Sequence, residues 1–340
     1  MKYAEYWKKR SEQIAKRQYE KAERYEADLR REYYRAMRSI KHDMEVFYAR
    51  FANNNEIDMA EAKKLLNAGE SKEFKMTLEE FIEKAKNNAE GRWTRQLNNV
   101  YFKTRISRLE ALLIQIRQQV ELLAAKRQDG AKKLLGDIYT DTYHRTLYEI
   151  QKGTGIGVSF AKINSDGLEK VLSTEFARSN WSKRIWGDRD KLASELYTKL
   201  SQSFIRGDSL DKTVKDLMER LNVSQSNAMR LVQTESAFFM EQATMDGYKE
   251  SRIVDRYEIL ATLDNRTSQT CQSMDGKVFK VSEEEVGINF PPFHARCRTT
   301  TVPYFEDEID YGKRAARNED GKTYAVPGNI TYEQWKERYA

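Results

Sequence analysis

Apolar residues recur at helical spacing through much of this chain. Tyr33, Met37, Ile40, Met44, Phe47 and Phe51 step by four and three and predict one face of a long helix over residues 1 to about 52. Upstream the stripe thins to Tyr19, Tyr25 and Leu29, and Asn53-Asn54-Asn55 ends it. Thr77 with Glu80 reads as the capping box of a shorter helix. Phe102, Ile106, Leu109, Leu113, Ile116, Val120 and Leu123 then alternate steps of four and three, a heptad seam. Such a seam needs a covering helix. A hairpin with the N-terminal helix is expected, with an intermolecular coiled coil as the alternative. Asp129-Gly130 reads as the end of that helix, and Gly153, Gly155 and Gly157 read as a hinge between two halves. These glycines do not fit a dinucleotide fingerprint, which needs a different spacing between a strand and a helix.

From about residue 188 the pattern tightens. Leu192, Leu196 and Leu200 recur at four. Gly207-Asp208-Ser209 interrupts, and Leu210, Val214, Leu217 and Leu221 begin another helix. Ser224 is placed to cap a third, with Ala228, Leu231, Val232 and Phe239 on its buried side. The texture then turns to strand formers: Tyr257–Leu263 alternates, Val278-Phe279-Lys280-Val281 follows the turn Asp275-Gly276, and Thr299–Val302 is β-branched. The polar tail 306–340 ends in a short helix with Thr331 and Gln334 at its cap and Trp335 and Tyr339 on it. The expected fold is mainly α with a small α+β C-terminal domain: long N-terminal helices, a helical hairpin and a short three-stranded sheet. The expected regions are 1–130, extended, charged and helical; 131–189, a linker with helices and the glycine hinge; 190–305, the α+β domain; and 306–340, the tail.

Only four prolines interrupt 340 residues, which suits this helical reading. Charged residues reach 33% against 39% hydrophobic, so part of the helix is expected to be solvated. The formal net charge is +6, and residues 1–50 alone carry fourteen Lys and Arg against nine Asp and Glu. A basic helix of this kind suits phosphate-directed contact with double-stranded DNA, with Lys8, Lys9, Arg10, Lys16 and Arg17 as the contact residues. Met1–Lys8 has no apolar run to serve as a signal peptide, and no stretch reaches the length of a membrane span. The expectation is synthesis in the cytoplasm without a membrane stage. Two cysteines in so long a chain do not make a disulfide scaffold and fit a reducing compartment.

Both cysteines and one of three histidines fall within 27 residues: Cys271, His294 and Cys297. Sulfur and imidazole suit zinc, and the two-residue spacer between His294 and Cys297 lets both reach one ion. Three readings stay open. The residues hold a compact loop by packing and hydrogen bonds, they bind structural zinc with a fourth group such as Asp264 or Asp275, or they form an open catalytic site with water on the metal. Beyond these residues no nucleophile–base pair or carboxylate pair stands out, so the chain is not expected to be an enzyme.

The region around these residues resembles the phage Mu F-like head morphogenesis family of minor head proteins. The resemblance rests on Arg230, Thr234 and Glu235; on Asp264, Arg266, Thr267 and Cys271; on Asp275, Gly276, Lys277 and Phe279; and on Pro291, Pro292, His294, Cys297 and Arg298. It covers about residues 190–303. Many family members have a cysteine directly after the Asp-x-Arg-Thr run, where this chain has Ser268, which leaves a four-ligand Cys/His set one ligand short. Glu235 is expected to face Arg266 or Arg298, and the Pro pair to stiffen the approach to His294. The resemblance implies a minor capsid protein inside the virion head, bound near the portal and assisting DNA packaging or ejection. Its partners would be the portal protein, scaffold or major capsid protein, and DNA. The N-terminal aromatics Tyr3, Tyr6, Trp7, Tyr19 and Tyr25 serve equally as a portal surface. Some relatives carry a C-terminal toxin domain, and the 38 residues after Val302 are too few for one. No cofactor is expected beyond the open case of structural zinc. The alternative function is a metal-dependent hydrolase or nuclease using Cys271, His294 and Cys297.

Overall fold

The computed structural model describes residues 3–54, 108–158, 163–206, 208–305, 313–317, 323–327, 330 and 332–339. The Thr77–Glu80 capping box, Phe102 and Ile106 lie outside them. The described helices are α1 (Tyr3–Asn54), α2 (Arg108–Thr154), α3 (Ser165–Leu172), α4 (Trp181–Arg206), α5 (Leu210–Ser251), α6 (Gln269–Met274) and α7 (Tyr332–Tyr339). Two compact units result, assembled from non-contiguous segments, because α1, α2 and α5 each contribute to both.

One unit comprises residues 29–128 and 182–226. The predicted stripes meet here: Ile40, Met44 and Phe47 of α1, Leu112, Leu113, Ile116 and Val120 of α2, Leu192, Leu196 and Leu200 of α4, and Leu217 and Leu221 of α5 share one core. Leu113, Ile116 and Val120 of the heptad seam are therefore covered within the chain, by three helices rather than by one hairpin partner. Asp208 and Ser209 separate α4 from α5, and Ser209 Oγ accepts from the Lys212 N–H to cap the latter. Ser224 is not a cap. It lies inside α5, where its Oγ and the Tyr33 hydroxyl make a buried 2.8 Å hydrogen bond. A mid-helix serine with a tertiary partner reads locally like a helix start.

The second unit comprises residues 1–28, 129–181 and 227–340. Its sheet has the order β2-β1-β3, from β1 (Arg256–Leu260), β2 (Val278–Lys280) and β3 (Thr300–Tyr304), all antiparallel. This is the three-stranded sheet expected. Tyr257 pairs with Phe279 on one side and Pro303 on the other. Beneath it lie Trp7 of α1, Ile150 of α2, and Met245 and Tyr248 of α5, packed with Tyr257, Ile259 and Phe290.

Three local readings are corrected in this unit. Asp129-Gly130 does not end α2, which runs on to Thr154. A methyl group at Gly130 would stand 2.5 Å from the Tyr25 ring, so the glycine admits that ring against the helix. The run at 153–157 lies within this unit and does not separate the two units. Gly155, at φ +71°, donates its N–H to the Gln151 carbonyl and closes α2, while Gly153 receives the Trp7 ring. The tail is more than a polar segment with one helix. A hairpin of β4 (Lys313–Arg317) and β5 (Thr323–Pro327) packs Ala316 and Val326 with Leu263, Ile330 and the buried Trp335 of α7. Thr331 lies outside the described residues.

Candidate functional site

The Cys/His cluster is built from two segments. Ser268 opens α6 by accepting from the Cys271 N–H, which fixes Cys271 in the first turn. The second segment follows Pro291-Pro292, joined by a cis bond, and carries His294 and Cys297. Between them Arg296 has φ +60°, and its N–H donates to the Thr234 hydroxyl of α5 at 3.1 Å. Thr234 also bonds back to the Arg230 carbonyl, so this helical position anchors the loop.

The side chains converge. Cys271 Sγ lies 3.1 Å from His294 Nε2 and 3.6 Å from Cys297 Sγ, and Ser268 Oγ lies 2.7 Å from the same imidazole nitrogen. Both thiols are free and buried. His294 Nδ1 sits 2.8 Å from the Ala295 carbonyl. Ser268 is therefore in the cluster, as a hydroxyl. A thiol hydrogen bond from Cys297 holds the Cys271 thiol below its ordinary range, and the same bond with burial raises that of Cys297.

The other matched residues hold backbone. Asp264 takes Arg298 in a two-pronged pair and also accepts from the Arg266 N–H and the Thr267 hydroxyl. Asp275 accepts from the Ala261 N–H at 2.8 Å, and Gly276, at φ +77°, bonds the Ile259 carbonyl. Phe279 packs with Tyr257, and the Lys277 carbonyl accepts from Ile259. Glu235 is buried, while the guanidinium of Arg298 is engaged by Asp264 and Arg266 approaches the same carboxylate at 3.8 Å. Arg230 is exposed.

Sequence reasoning missed Glu241. It is fully buried on α5, with the Thr301 hydroxyl donating to Oε2 and no hydrogen bond to Oε1 among the described residues. Burial raises its carboxyl to about 8. The available signal was a carboxylate inside the apolar run Phe238-Phe239-Met240-Glu241.

The basic N-terminal residues divide. Lys8 is buried and paired with Glu258 at 2.9 Å, so it is withdrawn from any DNA surface. Arg10 pairs with Glu149 and Arg17 with Asp141, which also takes Gln18 and Lys21. Lys9 and Lys16 are exposed. Among the N-terminal aromatics, Trp7 is in the core and Tyr6 donates to the Glu149 carboxylate.

Residues 194–302 match the family described as phage Mu protein F like protein. Among curated proteins, an Enterococcus faecalis (strain ATCC 700802 / V583) protein named NAD(+)–arginine ADP-ribosyltransferase EFV is 26% identical over 258 residues, covering 72% of this chain and 52% of its own length. The chain thus spans about half the length of that relative. No solved structure matches. Among the described residues no helix is long and apolar enough to cross a membrane. The matched segment, which carries the Cys/His cluster, the Asp264–Arg298 pair and most of the three-stranded sheet, is similar to phage Mu protein F like protein.

Proposed function

We propose that this chain is a minor head protein of a tailed bacteriophage, a structural component held near the portal inside the procapsid. It would assist head assembly and the packaging or ejection of DNA. Its partners are the portal protein, scaffold or major capsid protein, and double-stranded DNA contacted without sequence preference. One observation carries this reading. Residues shared with the phage family are spent on fixing backbone: Asp264 through Arg298, Asp275, Gly276 and Thr234 each tie one segment to another, and Thr267 holds the turn after β1. A shared architecture of this kind serves a rigid assembly module better than turnover. Co-expression with the cognate portal and scaffold, followed by sedimentation, tests it. The chain should travel with portal complexes or procapsids, and absence from both overturns the proposal.

The match to a protein named as an arginine ADP-ribosyltransferase favours a second reading, transfer of ADP-ribose from NAD to arginine. Incubation with labelled NAD and an arginine-rich acceptor distinguishes the two. Label on the acceptor would favour the transferase.

A further inference from the structure

We infer that Cys271, His294 and Cys297 form a three-ligand centre for a thiophilic divalent cation of the zinc type, with its fourth position open beside Ser268. One ligand atom from each residue lies within 4.8 Å of the others. Metal–sulfur bonds of about 2.3 Å and metal–nitrogen bonds of about 2.0–2.1 Å in a tetrahedron imply sulfur–sulfur edges near ~3.8 Å and sulfur–nitrogen edges near ~3.6 Å. Two edges of the triangle here are 3.6 Å and 3.1 Å, close to these values, and the third, between His294 and Cys297, is within 4.8 Å.

The imidazole is set for ligation. A carbonyl only accepts, so the contact with Ala295 places the proton on Nδ1 and leaves the Nε2 lone pair facing Cys271 and Ser268. That backbone carbonyl is the kind of outer partner which orients a metal-binding histidine. Both ligand segments are pinned independently of any ion, one by the Ser268 cap and the other by Thr234 and Asp264.

The fourth position is where this chain differs from a closed Cys/His set. Ser268, Cys271 and His294 line a solvent-open recess with Arg266, Arg296 and Arg298. Two thiolates neutralise a divalent ion, and their two protons leave to solvent on binding. The guanidinium groups then favour a small anion over water as the exchangeable fourth ligand.

The test uses full-length protein purified with reductant and loaded with zinc or cobalt(II). Metal analysis should give about one ion per chain, and cobalt should show thiolate charge-transfer absorption with tetrahedral visible bands. Azide should shift those bands. His294→Ala and Cys297→Ser should lose the ion. If they fail to fold, Ser268→Cys decides: it should keep the ion, gain a third thiolate in the spectrum and lose the response to azide. No bound metal in zinc-treated protein, a Cys271–Cys297 disulfide under reductant, or wild-type cobalt bands indifferent to azide would each overturn the inference.

Discussion

Arg298 grips Asp264 with both arms of its guanidinium, Nη1 at 2.5 Å from Oδ2 and Nη2 at 2.7 Å from Oδ1, across 34 residues of sequence. The pair joins the turn after β1 to the end of the loop bearing His294 and Cys297. Burial works against the Asp264 charge, but the Arg298 bonds outweigh it and hold the carboxyl below its ordinary value. A depressed carboxylate stabilises the fold above its unfolded value of about 4, and that contribution disappears as pH falls through the lower folded value. Asp264→Asn should therefore lower stability by about 1–3 kcal/mol at neutral pH, because it removes a charge-assisted pair. Denaturant titrations at several pH values should show the difference shrinking in acid.

Glu241 predicts the opposite slope. Its carboxyl is raised from 4.5 to about 8 by burial, so the folded state keeps a proton that the unfolded chain releases. Stability from this group is complete below about 4.5 and declines as pH rises toward 8. Glu241→Gln preserves an acceptor for the Thr301 hydroxyl and removes the titration. The variant should be more stable than wild type at pH 8 and lack that decline, which chemical denaturation between pH 5 and pH 8 would read.

Tyr33 and Ser224 make a buried hydroxyl pair between α1 and α5. Ser224→Ala leaves the phenol without that partner, at a cost of about 1–3 kcal/mol. Tyr33→Phe with Ser224→Ala removes both polar groups. The double variant should recover part of the loss, and a double-mutant cycle of unfolding free energies measures the coupling.

Gly153 predicts a substitution that helix propensity misjudges. Alanine is worth about 1 kcal/mol over glycine inside a helix. Here its methyl would stand 2.5 Å from Trp7 and 2.8 Å from Tyr6. Overpacking costs about 1–3 kcal/mol, so Gly153→Ala should lower the melting temperature rather than raise it.

DNA binding through α1 needs a finer test than removal of residues 1–50, since α1 supplies buried side chains to both units. Lys9→Glu with Lys16→Glu alters two exposed positions and leaves the Lys8–Glu258 pair alone. If the two lysines touch phosphates, the salt slope of DNA binding should fall by about 0.9 for each phosphate that is no longer neutralised. An unchanged slope assigns the basic helix to internal pairing.

The elements legible in the sequence are those whose apolar period is strong. Ile40, Met44 and Phe47, the seam from Leu113 to Val120, and the leucines of α4 all reach the core they predict. The upstream half of α1 is harder to read because, Trp7 aside, its buried positions are Lys8, Ala15, Gln18, Ala22 and Glu26, small or polar residues that carry no hydrophobic signal. Gly130 and Ser224 carry local signals for helix ends, and tertiary contacts with Tyr25 and Tyr33 override both. At the site the residue types were legible, since Cys271, His294 and Cys297 do converge. The anchoring of their loop by Thr234, 62 residues from Arg296, depends on pairing that no local pattern encodes.

The ion pair of Lys8 with Glu258 joins residues 250 positions apart. On a ribosome adding about 5–20 residues per second, the first helix would wait roughly 10–50 s for its partner to be synthesised. α2 can cover the small-residue face of α1 well before then, through Gly130 and Asp141, but Trp7 still waits for Met245, Tyr248 and Tyr257, which makes the nascent helix a ready client for chaperones.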